Sequence, residues 1–146
     1  MQATIKTQIS IKAPPADVFE YLSILKYHPY WNPQVQSFSS TAALKLGSKY
    51  QTDSQVLGVK ISSENEVTRF VSPKEIEITN GTGMVKYRAN FQLRPKDGGT
   101  FLTLTTTVST TSKAFAYAKP VLTSLARREL QSDLQALKLA AEHNLK

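Results

Sequence analysis

The chain has 146 residues, of which 40% are hydrophobic and 20% charged, and it contains no cysteine. A chain of this length can close one core without crosslinks, and the absence of thiols excludes disulfides, thiolate metal ligands and cysteine nucleophiles. Eighteen Lys and Arg against eleven Asp and Glu give a net charge of +7, but the basic residues are dispersed and do not form the stripe typical of nucleic-acid-binding proteins. We predict a single domain over residues 1–146 that binds no nucleic acid.

The start of the chain, MQATIKTQISIKAPP, alternates polar and apolar residues and lacks the apolar run of a signal peptide. No later stretch approaches the ~20 apolar residues that a membrane helix requires. Together with the absence of cysteine, this pattern favours a cytoplasmic protein without an integral membrane segment.

The first third of the chain predicts a strand followed by two short helices. Residues 4–12 alternate as a half-buried strand. Pro14 and Pro15 end this strand, and an apolar stripe over residues 18–25 indicates a short helix. Residues 27–33 (YHPYWNP) allow one further turn of helix at most, because two prolines interrupt them.

Residues 35–109 predict six strands joined mostly by hairpins. A tight turn at residues 57–58 pairs Tyr50 with Asn65 and Val56 with Val59. The alternation slips around residues 68–70, where we expect a bulge. Turns are also expected at residues 72–74 and at residues 96–99 (KDGG).

The sequence NGTG at residues 80–83 is a strong hairpin signal. As a four-residue loop it pairs Ile78 with Val85 and Ile76 with Tyr87. On the opposite face this register sets Glu77 against Lys86, a favourable pair of charges, and by the same register Glu75 opposes Arg88.

Residues 112–146 predict one long amphipathic helix. Its apolar residues recur at intervals of three and four, on one face: Leu122, Ala126, Leu130, Leu134, Leu137 and Ala141. Ser112 is a suitable N-cap. Pro120 either begins the helix or kinks it, and the helix-forming residues 114–118 favour the kink. We expect a rigid latter half on the sheet and a mobile segment around Pro120.

The sheet face that meets this helix carries an unusual number of polar residues. They are Tyr50, Thr52, Ser54, Ser63, Asn65, Tyr87 and Thr106. Because each unpaired polar group in a solid core costs about 1–3 kcal/mol, we expect a cavity in which water or a ligand satisfies them. The alternative is that the strands splay and these residues meet solvent.

Several segments resemble the START-like superfamily, also called SRPBCC. Residues 11–22 (IKAPPADVFEYL) are similar to the family's opening Ala-Pro-x-x-x-Val-Phe, and residues 30–33 (YWNP) resemble the Trp-Asn-Pro of its polyketide cyclase/dehydrase-type branch. Residues 47–50 (GSKY) and 71–74 (VSPK) are similar to a strand start and a turn of that branch. The resemblance covers essentially the whole chain. It implies an α+β helix-grip fold, in which a curved seven-stranded antiparallel sheet surrounds a long C-terminal helix, with two short helices between strands 1 and 2.

We predict that the protein binds a small lipophilic or aromatic molecule, for example a lipid, in a hydrophobic cavity between the sheet and the C-terminal helix. No cofactor is expected, and no metal, since the chain has no cysteine and no paired histidines. The predicted ligand-binding residues are Trp31, Tyr50, Thr52, Ser54, Ser63, Asn65, Arg69, Tyr87, Phe91, Tyr117 and Val121.

Alternatives stay open at several points. The resemblance also allows a polyketide cyclase/aromatase or dehydrase-type enzyme, with Tyr50, Tyr87, Arg69 and His28 as candidate acids or bases. A protein-interaction module is a third reading, and the sequence does not decide whether the protein forms a homodimer. Trp31 either lines the cavity mouth or anchors the core. Arg69 enters the cavity if the strand is regular and meets solvent if it bulges.

Overall fold

The computed structural model describes residues 2–33, 35–38, 42–56, 59–82 and 85–146. The strands are β1 (Gln2–Ile11), β2 (Val35–Phe38), β3 (Lys49–Val56), β4 (Val59–Val71), β5 (Glu75–Thr82), β6 (Val85–Lys96) and β7 (Gly99–Thr110). The helices are α1 (Pro15–Ser23), a 3₁₀ helix (Leu25–Tyr30), α2 (Lys113–Tyr117) and α3 (Lys119–Glu142). No helix in these ranges is long and apolar enough to cross a membrane.

The strands form one antiparallel sheet in the order β1-β7-β6-β5-β4-β3-β2. Six of them have eight to thirteen residues, whereas the edge strand β2 has four. Helix α3 packs along β1 and also contacts α1 and the 3₁₀ helix. We call the sheet face that carries the buried core residues the inner face. An open antiparallel sheet with a C-terminal helix confirms the predicted α+β class and fits the helix-grip fold.

The hairpin of β3 and β4 has the predicted register. Tyr50 pairs with Asn65, and Val56 pairs with Val59; the turn residues 57 and 58 lie outside the described ranges. The register of β4 against β5 shifts between Val67 and Arg69, which confirms the predicted bulge.

The predicted register of the next hairpin is wrong by four residues. Ile78 pairs with Ala89 instead of Val85, and Ile76 pairs with Phe91 instead of Tyr87. Strand β5 continues through residues 80–82, which pair with residues 85–87 of β6, and the Asn80 amide Nδ2 donates to Asn65 Oδ1 across the sheet, over 3.0 Å. A shift by an even number of residues keeps every side chain on its predicted face.

The predicted charge pairs of that hairpin are therefore wrong as well. Glu77 lies opposite Asn90 instead of Lys86, and Glu75 lies opposite Gln92 instead of Arg88. The Asn90 amide donates to Glu75 Oε2 over 2.9 Å and to Glu77 Oε2 over 3.0 Å. An amide thus bridges the two carboxylates, where opposite charges were expected.

The turn between β6 and β7 is confirmed. Asp97 and Gly98 both have positive φ, 50° and 79°, as a two-residue hairpin turn of type I′ requires. The next residue, Gly99, approaches the carbonyl oxygen of Ile11 so closely that a Cβ atom would clash with it. Glycine at position 99 lets the ends of β1 and β7 meet.

The C-terminal helix differs from the prediction in its first part. One continuous helix with a kink at Pro120 was expected, but α2 and α3 are separate helices that meet at Ala118 (φ −87°, ψ 8°). Pro120 lies in the first turn of α3, where no intrahelical partner is needed for a backbone N–H. Ser112 occupies the N-cap position of α2, although its side chain makes no capping hydrogen bond.

The apolar stripe of α3 is buried as predicted over its latter half. Leu130, Leu134, Leu137 and Ala141 are buried, whereas Leu122 and Ala126 are only partly buried.

Polar contacts hold the C-terminal end of α3 in place. The Tyr21 hydroxyl of α1 donates to the Leu145 carbonyl over 2.6 Å and lies 3.2 Å from that of Ala140. Lys138 Nζ lies 2.8 Å from Glu142 Oε2 and donates to the Ser10 carbonyl over 2.9 Å. The latter half of α3 is therefore bound to both β1 and α1.

Candidate functional site

The strand registers place polar residues together on one part of the inner face. Tyr50, Asn65, Asn80 and Tyr87 lie in one row across β3, β4, β5 and β6. The next row of inner-facing residues is apolar on three strands, where Val67, Ile78 and Ala89 pair across β4, β5 and β6. On β7 this row ends with Thr106, which pairs with Ala89. The inner face thus changes from apolar to polar along its strands.

Asn65 is the centre of a hydrogen-bond network within the polar row. Its Nδ2 donates to Thr52 Oγ1 over 3.0 Å and lies 3.1 Å from the Tyr50 carbonyl oxygen, while its Oδ1 accepts from Asn80. Asn65 is only 3% exposed. The expectation that these inner polar groups need water or a ligand is therefore wrong for Asn65 and Thr52, since the protein itself satisfies them.

Thr106 differs from that network. It is 1% exposed, and its hydroxyl has no hydrogen-bond partner in the described part of the chain. An unpaired buried hydroxyl costs about 1–3 kcal/mol, so this group favours a site that another molecule completes. The Tyr87 hydroxyl is a neighbour of the Thr106 hydroxyl. Burial raises the pKa of Tyr87 to about 12, whereas the Thr106 hydroxyl lowers it.

Helix α3 carries two carboxylates, Glu129 and Asp133, whose charges act on Tyr87. Asp133 is partly buried, and this burial raises its pKa to about 7, with a further contribution from the neighbouring charge of Glu129. The charges of both carboxylates also raise the pKa of Tyr87 on β6.

The sequence analysis missed Asp133 and Glu129. The signal was present, because the two residues are four positions apart and adjoin Leu130 and Leu134 of the apolar stripe, so they lie at its border on the helix.

Trp31 and His28 lie in the core. The Trp31 indole is 5% exposed and donates from Nε1 to the Tyr21 carbonyl over 2.8 Å, and its ring meets Phe91 edge-on at 5.6 Å. His28 is 2% exposed with Nε2 2.7 Å from the Leu22 carbonyl. Burial lowers the pKa of His28 to about 4. These contacts favour the interpretation that Trp31 anchors the core and does not line a cavity mouth, and they favour a structural role for His28.

Three predicted ligand-binding residues lie in solvent instead of on the inner face. The bulge turns Arg69 outward, where its Nε lies 3.2 Å from Glu75 Oε1 and its side chain is 59% exposed. Tyr117 is 93% exposed and Val121 63% exposed. Tyr117 ends α2, and Val121 is rotated by about 100° from its partly buried neighbour Leu122.

The other predicted positions lie on the inner strands. Tyr50, Thr52, Ser63, Asn65 and Phe91 are buried, and Tyr87 is partly buried. The side chain of Ser54, which pairs with Ile61, lies outside the described part of the structure. Across the residues that are described, no three His, Asp or Glu side chains come together as a metal site.

Comparison with known proteins agrees with the fold. Residues 2–142 match the family described as polyketide cyclase / dehydrase and lipid transport, and the chain belongs to this family. The resemblance to the START-like (SRPBCC) superfamily is thereby confirmed. No curated protein matches the sequence significantly.

Solved structures that are similar over the whole chain share the fold at low sequence identity. TTHA0849 from Thermus thermophilus is 19% identical with a TM-score of 0.79, covering 99% of this chain and 100% of that one. A START superfamily protein from Mycobacterium smegmatis is 16% identical with a TM-score of 0.79, covering 97% and 98%. Ara h 8.0201 is 15% identical with a TM-score of 0.71, covering 99% and 100%.

Proposed function

We propose that the protein binds a small lipophilic or aromatic molecule between the inner face of the sheet and α3. The observation that carries the proposal is the buried hydroxyl of Thr106, which has no partner among the described residues and lies on the face that α3 approaches. Phe91, Leu104 and Leu134 belong to the buried apolar core, and in this proposal they form the walls of the site. A few polar groups among apolar walls are the usual composition of a ligand pocket.

The family description includes lipid transport, which agrees with a lipophilic ligand. In this proposal Tyr87 and Thr106 orient the ligand, and the hydrogen-bonded Asn65 network forms a rigid polar wall. Trp31 supports Phe91 from behind and makes no direct contact with the ligand.

Titration with the neutral fluorophore N-phenyl-1-naphthylamine tests the proposal. We expect saturable fluorescence enhancement with one site per chain. Ala89→Phe should weaken binding about tenfold or more, because Ala89 lies on the inner face beside Thr106 and Ile78 and a larger side chain would fill the space that the ligand needs.

Arg88→Phe is the matched control, since Arg88 precedes Ala89 on the same strand and is exposed. It should bind the fluorophore as the natural chain does. Equal binding by the natural chain and by folded Ala89→Phe would place the binding site elsewhere, and no saturable binding by the natural chain would reject the proposal.

An enzyme of the cyclase or dehydrase kind is a second candidate, and Asp133 favours it. A carboxyl with its pKa raised to about 7 can both accept and donate a proton near neutral pH. If the protein turns over a hydroxylated ketone, Asp133→Asn should abolish turnover while binding of the fluorophore persists. Unchanged turnover in that variant would exclude Asp133 as the acid or base.

A further inference from the structure

A groove with a volume of about 330 Å³ lies on the outer face of the sheet, on the opposite side from the buried core. We call it the outer groove. Two neighbouring rows of outward-facing residues meet there: Glu75, Gln92 and Thr103 pair across β5, β6 and β7, and Arg94 pairs with Phe101 in the next row. Lys74, in the turn before β5, also lines the groove.

Glu75 is the acidic residue that lines the groove, and its carboxylate is already occupied. Its Oε1 lies 3.2 Å from Arg69 Nε, while its Oε2 accepts from the Asn90 amide over 2.9 Å and from the Gln92 amide over 3.4 Å. The Asn90 hydrogen bond lowers the pKa of Glu75 most, and the Arg69 charge lowers it further. Glu75 is therefore ionised and has little capacity left for another cation.

The basic side chains of the groove have no such partners. Lys74 and Arg94 are exposed, and neither forms an ion pair within the described part of the chain. The Arg94 guanidinium carbon Cζ lies 4.7 Å from the centre of the Phe101 ring, a cation–π contact that restricts the motion of the guanidinium. Two unpaired positive charges thus line the groove beside an acid that is already neutralised.

The free hydrogen-bonding capacity of the groove consists of donors. The Arg94 guanidinium and the Lys74 ammonium group can only donate. Thr103 Oγ1 already accepts from Gln8 Nε2 over 3.3 Å, so its hydroxyl hydrogen is available to a ligand. A carboxylate would offer these donors two oxygens and one negative charge, whereas a phosphate monoester at pH 8 offers three terminal oxygens and about two charges.

We propose that the outer groove binds the phosphate group of a small, soluble phosphate monoester. Arg94 donates to two phosphate oxygens through its guanidinium fork, Lys74 adds its charge, and Thr103 donates a further hydrogen bond. The partly buried Phe101 ring offers an apolar surface to the organic part of the ligand. A volume of about 330 Å³ is within the range of small-molecule sites. Because this groove and the proposed lipophilic site lie on opposite faces of the sheet, the inference does not depend on that function.

Phenyl phosphate and benzoate are matched probes, since each joins one phenyl ring to one anionic group. Amide chemical-shift titrations at pH 8 and about 0.15 M salt, which screens charges beyond about 8 Å, give both dissociation constants. We expect phenyl phosphate to cause saturable shifts at Gln92, Arg94 and Thr103, and benzoate to bind at least about fivefold more weakly. Equal affinity for the two anions, or no saturable shift with phenyl phosphate, would overturn the proposal.

Variants assign the binding to the groove. Arg94→Gln should weaken phenyl phosphate binding about tenfold, and Arg94→Lys about threefold, because lysine keeps the charge without the fork. Arg88→Gln is the matched control: Arg88 is exposed on the same face of β6, about 20 Å from Arg94 at about 3.3 Å per residue. It makes the same change in net charge and should bind within about twofold of the natural chain. Equal losses in the two glutamine variants would reveal general attraction to the basic surface and overturn the site.

Vesicles of phosphatidylcholine that contain phosphatidic acid present the same phosphate chemistry on a membrane surface. We expect Arg94→Gln to change co-sedimentation with these vesicles no more than Arg88→Gln does. A loss of co-sedimentation that is specific to Arg94→Gln, together with no binding of phenyl phosphate by the natural chain, would assign the groove to a lipid head group and overturn the proposal of a soluble ligand.

Discussion

The amide of Asn80 donates from Nδ2 to Oδ1 of Asn65 on the adjacent strand, over 3.0 Å. This contact joins β4 to β5 and leaves the Asn65 Nδ2 available to bond Thr52 Oγ1 on β3. Three neighbouring strands are thus joined by side chains on the inner face, in addition to their backbone hydrogen bonds.

Asn65→Asp should destabilise the protein by about 2–3 kcal/mol, because it replaces a buried donor by an acceptor that faces the Tyr50 carbonyl and the Thr52 hydroxyl. Urea unfolding at pH 7 measures the change. Asn144→Asp, an exposed asparagine near the C-terminus, is the control and should change stability by less than about 0.5 kcal/mol. Equal effects of the two variants would contradict the role of the network.

Gly99→Ala should cost about 2 kcal/mol or more, because the new Cβ would clash with the Ile11 carbonyl and force β1 and β7 apart. Gly98→Asn, one residue earlier, should cost much less, since its surroundings are open and asparagine tolerates the φ of 79°. Thermal unfolding of both variants gives the comparison, and a milder effect at Gly99 than at Gly98 would contradict the close strand approach.

The buried His28 should destabilise the protein as the pH falls. Its pKa is lowered from 6.5 to about 4 by burial, so the unfolded chain binds a proton that the folded chain excludes. Above about pH 6.5, His28 is neutral in both states and does not lower the free energy of unfolding. Below this pH the free energy of unfolding decreases, by about 2 kcal/mol by pH 5. Urea unfolding across this range, compared with His28→Gln, isolates the contribution; the same slope in both proteins would contradict it.

The partly buried carboxyl of Asp133 should destabilise the protein as the pH rises, opposite to the effect of His28. Its pKa is raised from 3.8 to about 7, so the folded chain keeps a proton that the unfolded chain loses, and stability decreases as the pH rises from about 4 to 7. Asp133→Asn removes this cost and should stabilise the protein at pH 8 by up to about 2 kcal/mol, after allowance for partial exposure, with little change at pH 4. Urea unfolding of the natural chain and of Asp133→Asn at pH 4 and pH 8 measures the difference.

The outcome for Asp133→Asn also bears on function. A gain in stability at pH 8 together with a loss of turnover would show that the natural residue is retained at a cost to stability, as functional residues often are. No gain in stability at pH 8 would contradict the burial of the charged carboxylate.

Much of the fold could be predicted from side-chain parity. The alternation of residues placed Tyr50, Asn65, Ile76 and Tyr87 on the correct face, and the slip near residue 69 correctly indicated a bulge. Exact pairing was less predictable, because the NGTG sequence favours a hairpin without fixing its length. The hydrogen bond between Asn65 and Asn80, which lies in the part of β5 beyond the expected turn, joins residues 15 positions apart and leaves no local signal.

The site was harder to predict than the fold. Parity showed that polar residues share the inner face, but it could not show that Asn65 and Thr52 satisfy one another whereas Thr106 has no partner among the described residues. That distinction depends on side-chain geometry across strands. The effect of the Asp133 charge on Tyr87 depends in addition on how α3 lies against the sheet.

Chemical-shift mapping with the fluorophore tests directly whether a ligand binds between the inner face of the sheet and α3. Two-dimensional amide and methyl spectra of the natural chain are recorded with and without N-phenyl-1-naphthylamine. If the fluorophore binds between the inner face and α3, the largest shifts fall at Ala89, Leu104, Thr106 and Leu134, while outward residues such as Arg69 and Arg88 change little. Shifts centred on the outer face of the sheet, or no shifts at saturating fluorophore, would contradict it.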